Sequence, residues 1–195
     1  MFEPAIALLE FSSIAVGIEA GDAMIKRAPV KRIHSGTVQP GHYLVLVSGQ
    51  VADVEEAVNA GQEAGGSQLR DTLYLPNVHP DVVTSLSGKL QIQPTDALGV
   101  VETHTVAAAI HAADAGVKGA EVTLLQLRLA DGLGGKGLVL FTGLVADVEA
   151  AVAIGISAAH QQLLHQVVIP QLHEEMWENV NLQGRFGHHF NWEAV

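Results

Sequence analysis

The chain is written twice. Residues 5–30, AIALLEFSSIAVGIEAGDAMIKRAPV, return in altered form as residues 97–122, ALGVVETHTVAAAIHAADAGVKGAEV. Glu10 answers to Glu102, Asp22 to Asp114 and Lys26 to Lys118, each 92 positions apart. Further on, GQVADVEEAVNAG at 49–61 matches GLVADVEAAVAIG at 143–155, now 94 positions apart, and Leu75–His79 matches Ile169–His173 at that same spacing. Two extra residues between strands of the second copy account for the whole alignment. Self-similarity of this length makes each copy one structural unit.

The join falls near residues 88–96, a polar, Pro-containing stretch suited to a linker. Two domains are therefore expected, over 4–88 and 96–180. Residues 181–195 form a Gly-, His- and Asn-rich tail with no counterpart in the first copy, expected to be loosely ordered or to dock on a neighbour. A chain of 195 residues accommodates two such small domains.

Each copy has the same coarse pattern. A short apolar strand (Ala5–Glu10; Ala97–Glu102) leads into a helix whose N-cap is Ser12 or Ser13 in the first copy and Thr103 or Thr105 in the second. In the first helix, Ile14, Ile18, Met24 and Ile25 form an apolar stripe at helical spacing. Two strands follow, Val30–Val38 and Tyr43–Ser48, with Pro40-Gly41 at the turn. A second helix starts near Val51 (Val145), with Asp53 and Glu55 (Asp147 and Glu149) where the helix dipole favours acids. A last strand reaches Leu75 (Ile169), and a short helix follows His79-Pro80. The order β-α-β-β-α-β is the split βαβ, ferredoxin-like arrangement, an α+β member of the broad α/β class. It implies an antiparallel sheet with two helices on one face and the other face open to neighbours or to the terminal segment.

Composition removes several functions. The formal charge is −11, with 10 Lys and Arg against 21 Asp and Glu and no basic run, so the electrostatic footprint of nucleic-acid binding is missing. No apolar stretch approaches the ~20 residues that cross a bilayer, and the first residues lack the pattern of a signal peptide; the expected location is the cytoplasm. There is no cysteine, which removes disulfides, thiol catalysis and thiolate-held metal centres.

Candidate chemistry is weak. Gly132-x-Gly134-x-x-Gly137 matches a dinucleotide fingerprint as a string, but an apolar strand-like run, Leu138–Phe141, follows where a helix N-terminus must stand. His104 and His111, seven apart, lack companion ligands for zinc. His42 would be repeated around any symmetry axis near its turn, so a metal or an anion there is a minority reading. Glu10, Glu102, Asp22 and Asp114 recur at equivalent points, which suits capping or an interface contact better than an acid–base pair. No catalytic residue is assigned, and no enzyme activity is expected.

These residues resemble bacterial microcompartment shell domains. The motifs are D-A-x-x-K at Asp22–Lys26 and Asp114–Lys118, V-x-x-V-x-x-A-x-x-x-G at Val51–Gly61 and Val145–Gly155, and I-P-x-x-H at Ile169–His173. The resemblance covers about residues 4–180 and is nearest the tandem, trimer-forming members of the propanediol-utilisation type. It implies two tandem shell domains, a homotrimer imitating a hexamer, lateral packing with other shell proteins, and a central pore for small metabolites. It places Gln39, Pro40, Gly41 and His42, with Leu133, Gly134, Gly135 and Lys136, around that pore, and Lys26 and Lys118 at tile edges. Relatives of this type carry a cysteine before the Pro-Gly turn that holds an iron–sulfur cluster. Here Gln39 stands in that position, so no such cofactor is expected. The alternatives are a tandem ACT-type regulator that binds a small molecule between subunits and, third, a dimeric α+β barrel enzyme.

Overall fold

The computed structural model describes residues 4–86 and 96–181. The join between the copies and the 181–195 tail lie outside the described residues, apart from their edge residues Asp96 and Asn181. The first copy runs β1 (Ala5–Phe11), α1 (Ile14–Arg27), β2 (Arg32–Val38), β3 (His42–Gly49), α2 (Val51–Gly65), β4 (Leu69–Leu75) and α3 (Pro80–Leu86). The second repeats it as β5 (Ala97–Thr103), α4 (Val106–Gly119), β6 (Thr123–Leu129), β7 (Gly137–Gly143), α5 (Val145–Ala159), β8 (Leu163–Ile169) and α6 (Glu174–Asn181).

Both sheets are antiparallel and share one strand order, β2-β3-β1-β4 and β6-β7-β5-β8, as the split βαβ reading requires. Registers repeat as well. Glu10 lies opposite Leu44 and Asp71, and Glu102 opposite Leu138 and His165, with a register shift just after each glutamate. The two inserted residues fall in the β6–β7 turn: Val38 pairs directly with His42, whereas the Ala130 amide bridges to the Lys136 carbonyl.

The central strand β1 is buried along its whole length because both of its faces are covered. Ala5, Ala7, Leu9 and Phe11 meet α1 and α2 together with Val45, Val47 and Val54. Ile6 and Leu8 face the other way and join Leu73, Val78 and Val82 in a cluster that continues into Val106, Ile110 and Phe141 of the second copy. The two units therefore share a core. The outer face of the second sheet is covered by α6, where Trp177 and Val180 pack on Leu98, Leu125 and Leu140 and Gln126 Nε2 donates to the Val180 carbonyl at 2.8 Å.

Helix starts follow from side-chain capping. Ser13 accepts the Val16 amide and Thr105 the Ala108 amide, so Ser13 and Thr105 are the caps, while Thr103 is the last residue of β5. The apolar stripe expected on α1 is corrected. Of Ile14, Ile18, Met24 and Ile25 only Met24 is buried, and the inward face is Gly17, Ala20, Gly21 and Met24. The reason is distance: a Cβ on Gly17 would lie 2.6 Å from the Tyr43 ring, so only small residues let α1 seat on the sheet. The three isoleucines form a second, outward stripe.

Candidate functional site

Around the shared apolar core, the polar contacts between the two copies centre on carboxylates. The side chain of Glu10, at the end of β1, is fully buried, and its Oε2 accepts the Val106 amide at 2.9 Å. It thus satisfies an orphan donor in the first turn of α4 from the other domain and places negative charge at the positive end of the helix. Beside it, the Thr105 hydroxyl donates to Asp71. At the far end of α4, Asp114 Oδ1 accepts the His79 amide at 2.7 Å, and Lys118 Nζ donates both to Asp114 Oδ2 at 2.6 Å and to the Asn77 carbonyl. Glu10 and Asp114 are thus seam residues committed to backbone amides, whereas their counterparts Glu102 and Asp22 accept from Lys136 and Lys26.

The charge on Glu10 is compensated from one side. Arg70 NH1 donates to Glu10 Oε1 at 2.6 Å and to His42 Nδ1 at 2.5 Å. Burial pushes the Glu10 carboxyl above the usual glutamate range, and the Val106 amide and Arg70 pull it back only in part. Burial, and then the neighbouring guanidinium, hold the His42 imidazole below its ordinary value. Arg70 therefore carries the positive charge against Glu10, and a neutral His42 accepts through Nδ1. In the second copy the positions of His42 and Arg70 are Lys136 and Leu164, and Lys136 Nζ reaches Glu102 Oε1 directly at 2.7 Å.

The two turns singled out in the sequence meet. The Gln39 amide N–H approaches Asp131 Oδ1 at 3.4 Å, and Gln39 Oε1 accepts the Gly132 amide at 3.3 Å. Gly135 has a φ of 87°, and a Cβ there would lie 2.8 Å from Pro40 Cδ and 2.9 Å from the Gln39 carbonyl oxygen. The glycine run is therefore a close crossing of two backbones. The strand β7 begins at Gly137, so no helix follows to receive a pyrophosphate.

Gln39, Pro40 and His42 thus lie against Gly135, whereas Gly41 and Gly134 face open space; Lys136 reaches Glu102, and Leu133 belongs to the turn through a bond from its amide to the Ala130 carbonyl. Among the described residues Lys26 pairs with Asp22, at 2.5 Å. Its counterpart Lys118 is held at the rim of the seam. His104 precedes α4 rather than sharing a helical face with His111, which instead lines a polar cleft with His160, Asp71 and Thr72. No group of three or more potential metal ligands occurs among the described residues. Sequence reasoning missed Arg70 and Asp71. Their one signal was divergence, since the second copy has Leu164 and His165 in their places.

The comparisons agree with this architecture. The BMC domain matches residues 5–78 and again 97–172. The chain is similar to the bacterial microcompartment shell protein PduT of Citrobacter freundii, with 42% identity over 178 residues, 90% of this chain and 97% of that one. It also resembles the shell protein PduA of the same organism, 31% identical over 84 residues that make up 42% of this chain and 90% of that one. A solved structure of a microcompartment protein from Desulfitobacterium hafniense DCB superposes with a TM-score of 0.77 at 41% identity, covering 91% of this chain and 99% of that one.

Proposed function

The chain belongs to the BMC domain family and is a bacterial microcompartment shell protein with two such domains in tandem, and from that premise we propose that three copies close into a six-domain plate that tiles into the shell and leaves a central opening for small polar molecules.

The observation that carries this reading is that each end of the chain exposes half of the seam that its middle has already made. Ile110 on α4 is 0% exposed against the first domain, whereas its counterpart Ile18 on α1 is 55% exposed. Leu73 on the receiving strand β4 is 3% exposed, and its counterpart Val167 on β8 is 42% exposed. The Asp114 side chain is 4% exposed and that of Asp22 is 54% exposed. One surface on each end, complementary to each other, gives a head-to-tail contact, and such contacts make rings when the rotation closes. The occupant of each half is a second copy of this chain.

In that ring the touching turns 38–42 and 130–136 face the axis, and Gln39, Asp131 and backbone amides give the opening a polar rim. An iron–sulfur cluster does not fit this position: the side chain there is an amide engaged with Gly132, and the sequence supplies no thiolate. The role is structural rather than catalytic, because the duplicated acids of the first seam are spent on backbone amides. Residence in the cytoplasm, within the microcompartment shell, accords with the absence among the described residues of any helix long and apolar enough to cross a membrane. The ACT-type regulatory reading has no support in the family match.

Lys26 and Lys118 serve the tile edges in this proposal. Lys118 uses two of its three donors inside the chain, leaving one for a neighbouring tile. The test is light scattering together with electron microscopy of concentrated protein: trimers and sheets are expected, and Lys26→Asp should remove the sheets at concentrations where trimers persist. A monomer at every concentration refutes the proposal.

A further inference from the structure

The internal seam closes when the strand-end carboxylate of one domain caps the first helix of the next. The second copy carries the same carboxylate in the same register, since Glu102 ends β5 as Glu10 ends β1. Among the described residues of one chain Glu102 caps no helix. Its single partner among the described residues is Lys136, from the β6–β7 turn. At the other end of the chain, α1 begins with its Ser13 cap in place, but Ile14 and Ala15, the counterparts of the Val106 and Ala107 amides that stabilise the Glu10 carboxylate, receive no carboxylate among the described residues. Among the described residues, a helix start thus lacks its carboxylate at one end of the chain, and a carboxylate lacks its helix at the other.

We infer that Glu102 caps helix α1 of the neighbouring chain through the Ile14 amide, and that Lys136, bound to the same carboxylate, fastens the pore-side turn to that subunit seam. The inference rests on the trimer reading and deepens it. The arrangement parallels the first copy, where Glu10 joins the α4 amide to the Arg70–His42 pair at the start of β3. Both turns at the opening are then anchored to seams, one within the chain and one between chains. The charges explain why the carboxylate is required. Glu102 stands between an ammonium and the positive end of a helix, so without it the two positive groups face each other unscreened. Lys136 is therefore an asset to the seam only while Glu102 is present.

The test compares trimer dissociation, by sedimentation velocity over a dilution series, for the unmodified protein, Glu102→Ala, Lys136→Ala and the double variant. Glu102→Ala should raise the half-dissociation concentration roughly tenfold, the scale of a lost helix cap repeated at three seams. Lys136→Ala should change it by less than about threefold, and the double variant should recover part of the loss, because the repulsion disappears with the lysine. Glu102→Gln, which keeps an acceptor, should fall between. The cysteine-free chain also permits a positional check. Ser13→Cys with His165→Cys, placed where Thr105 and Asp71 touch in the internal seam, should cross-link with a short thiol-reactive reagent into a ladder ending at the trimer. Stable trimers that neither cross-link at this pair nor respond to Glu102→Ala would overturn the inference and leave the trimer standing. Trimers that cross-link but ignore Glu102→Ala overturn the capping role alone. Monomers throughout would remove the trimer reading and the inference with it.

Discussion

Glu10 accepts the amide of Val106, 96 residues away in sequence and in the other domain, at 2.9 Å. This bond defines the molecule: a buried carboxylate at the end of a central strand serves as the cap of a helix from the next repeat. The same relationship, displaced by one domain, is the one proposed between chains.

Glu10 is expected to make the protein less stable as pH rises over a defined window. Burial keeps its folded-state carboxyl above the ordinary 4.5, so the folded chain holds this proton where the unfolded chain has released it. From about pH 4.5 up to the raised value, ionisation therefore costs stability, and above that the cost is constant. Glu10→Gln removes the titration, so the variant should gain on the unmodified protein across that window. Urea unfolding between pH 4 and 7 measures it. A difference that does not vary with pH would contradict the assignment.

His42 behaves in the opposite sense. Its folded value lies below the usual 6.5, through burial and then Arg70, so the unfolded chain takes up a proton that the folded chain refuses. This contribution to stability is present above pH 6.5 and declines as pH falls through the interval between the two values. Arg70→Leu, the residue found at the equivalent Leu164, should move the His42 titration upward, part of the way toward 6.5, as followed by NMR of the imidazole protons. No movement would show that the guanidinium has no influence there.

Equivalent isoleucines should respond differently to one substitution. Ile110→Asp places an unpaired carboxylate in the shared core and should cost ~4 kcal/mol or more, enough to unfold many domains. Ile18→Asp, on the uncovered counterpart, should change the stability of a single chain by less than about 0.5 kcal/mol yet prevent trimer formation. Calorimetry and light scattering on both variants decide this. Trimers of Ile18→Asp with undiminished affinity would argue against the proposed seam.

Gly135→Val should be costly for two reasons, a φ of 87° and the 2.8 Å approach to Pro40. Strain at such a site is about 1–3 kcal/mol. Gly36→Val in β2 meets nothing within 4 Å and has no such φ, so it should be near neutral. Thermal unfolding of the pair gives the comparison, and equal melting temperatures would mean that the two turns do not depend on their contact.

The repeat in the sequence determined the number of units, the order of their elements and, through Ser13 and Thr105, where the first helix of each could start. These are local matters of periodicity and capping, set by residues near one another in the chain. The sequence also marked Ile14, Ile18 and Ile25 as an apolar stripe, but a stripe records that a surface is to be covered, not by what. Tertiary structure decided that small residues, Gly17 and Ala20, face inward, leaving the isoleucines outside. It also decided that Glu10 would reach across 96 residues to Val106 and that Arg70 and His42 would gather around it. Such contacts depend on how two whole domains pack, and no spacing along the chain encodes the distance between them.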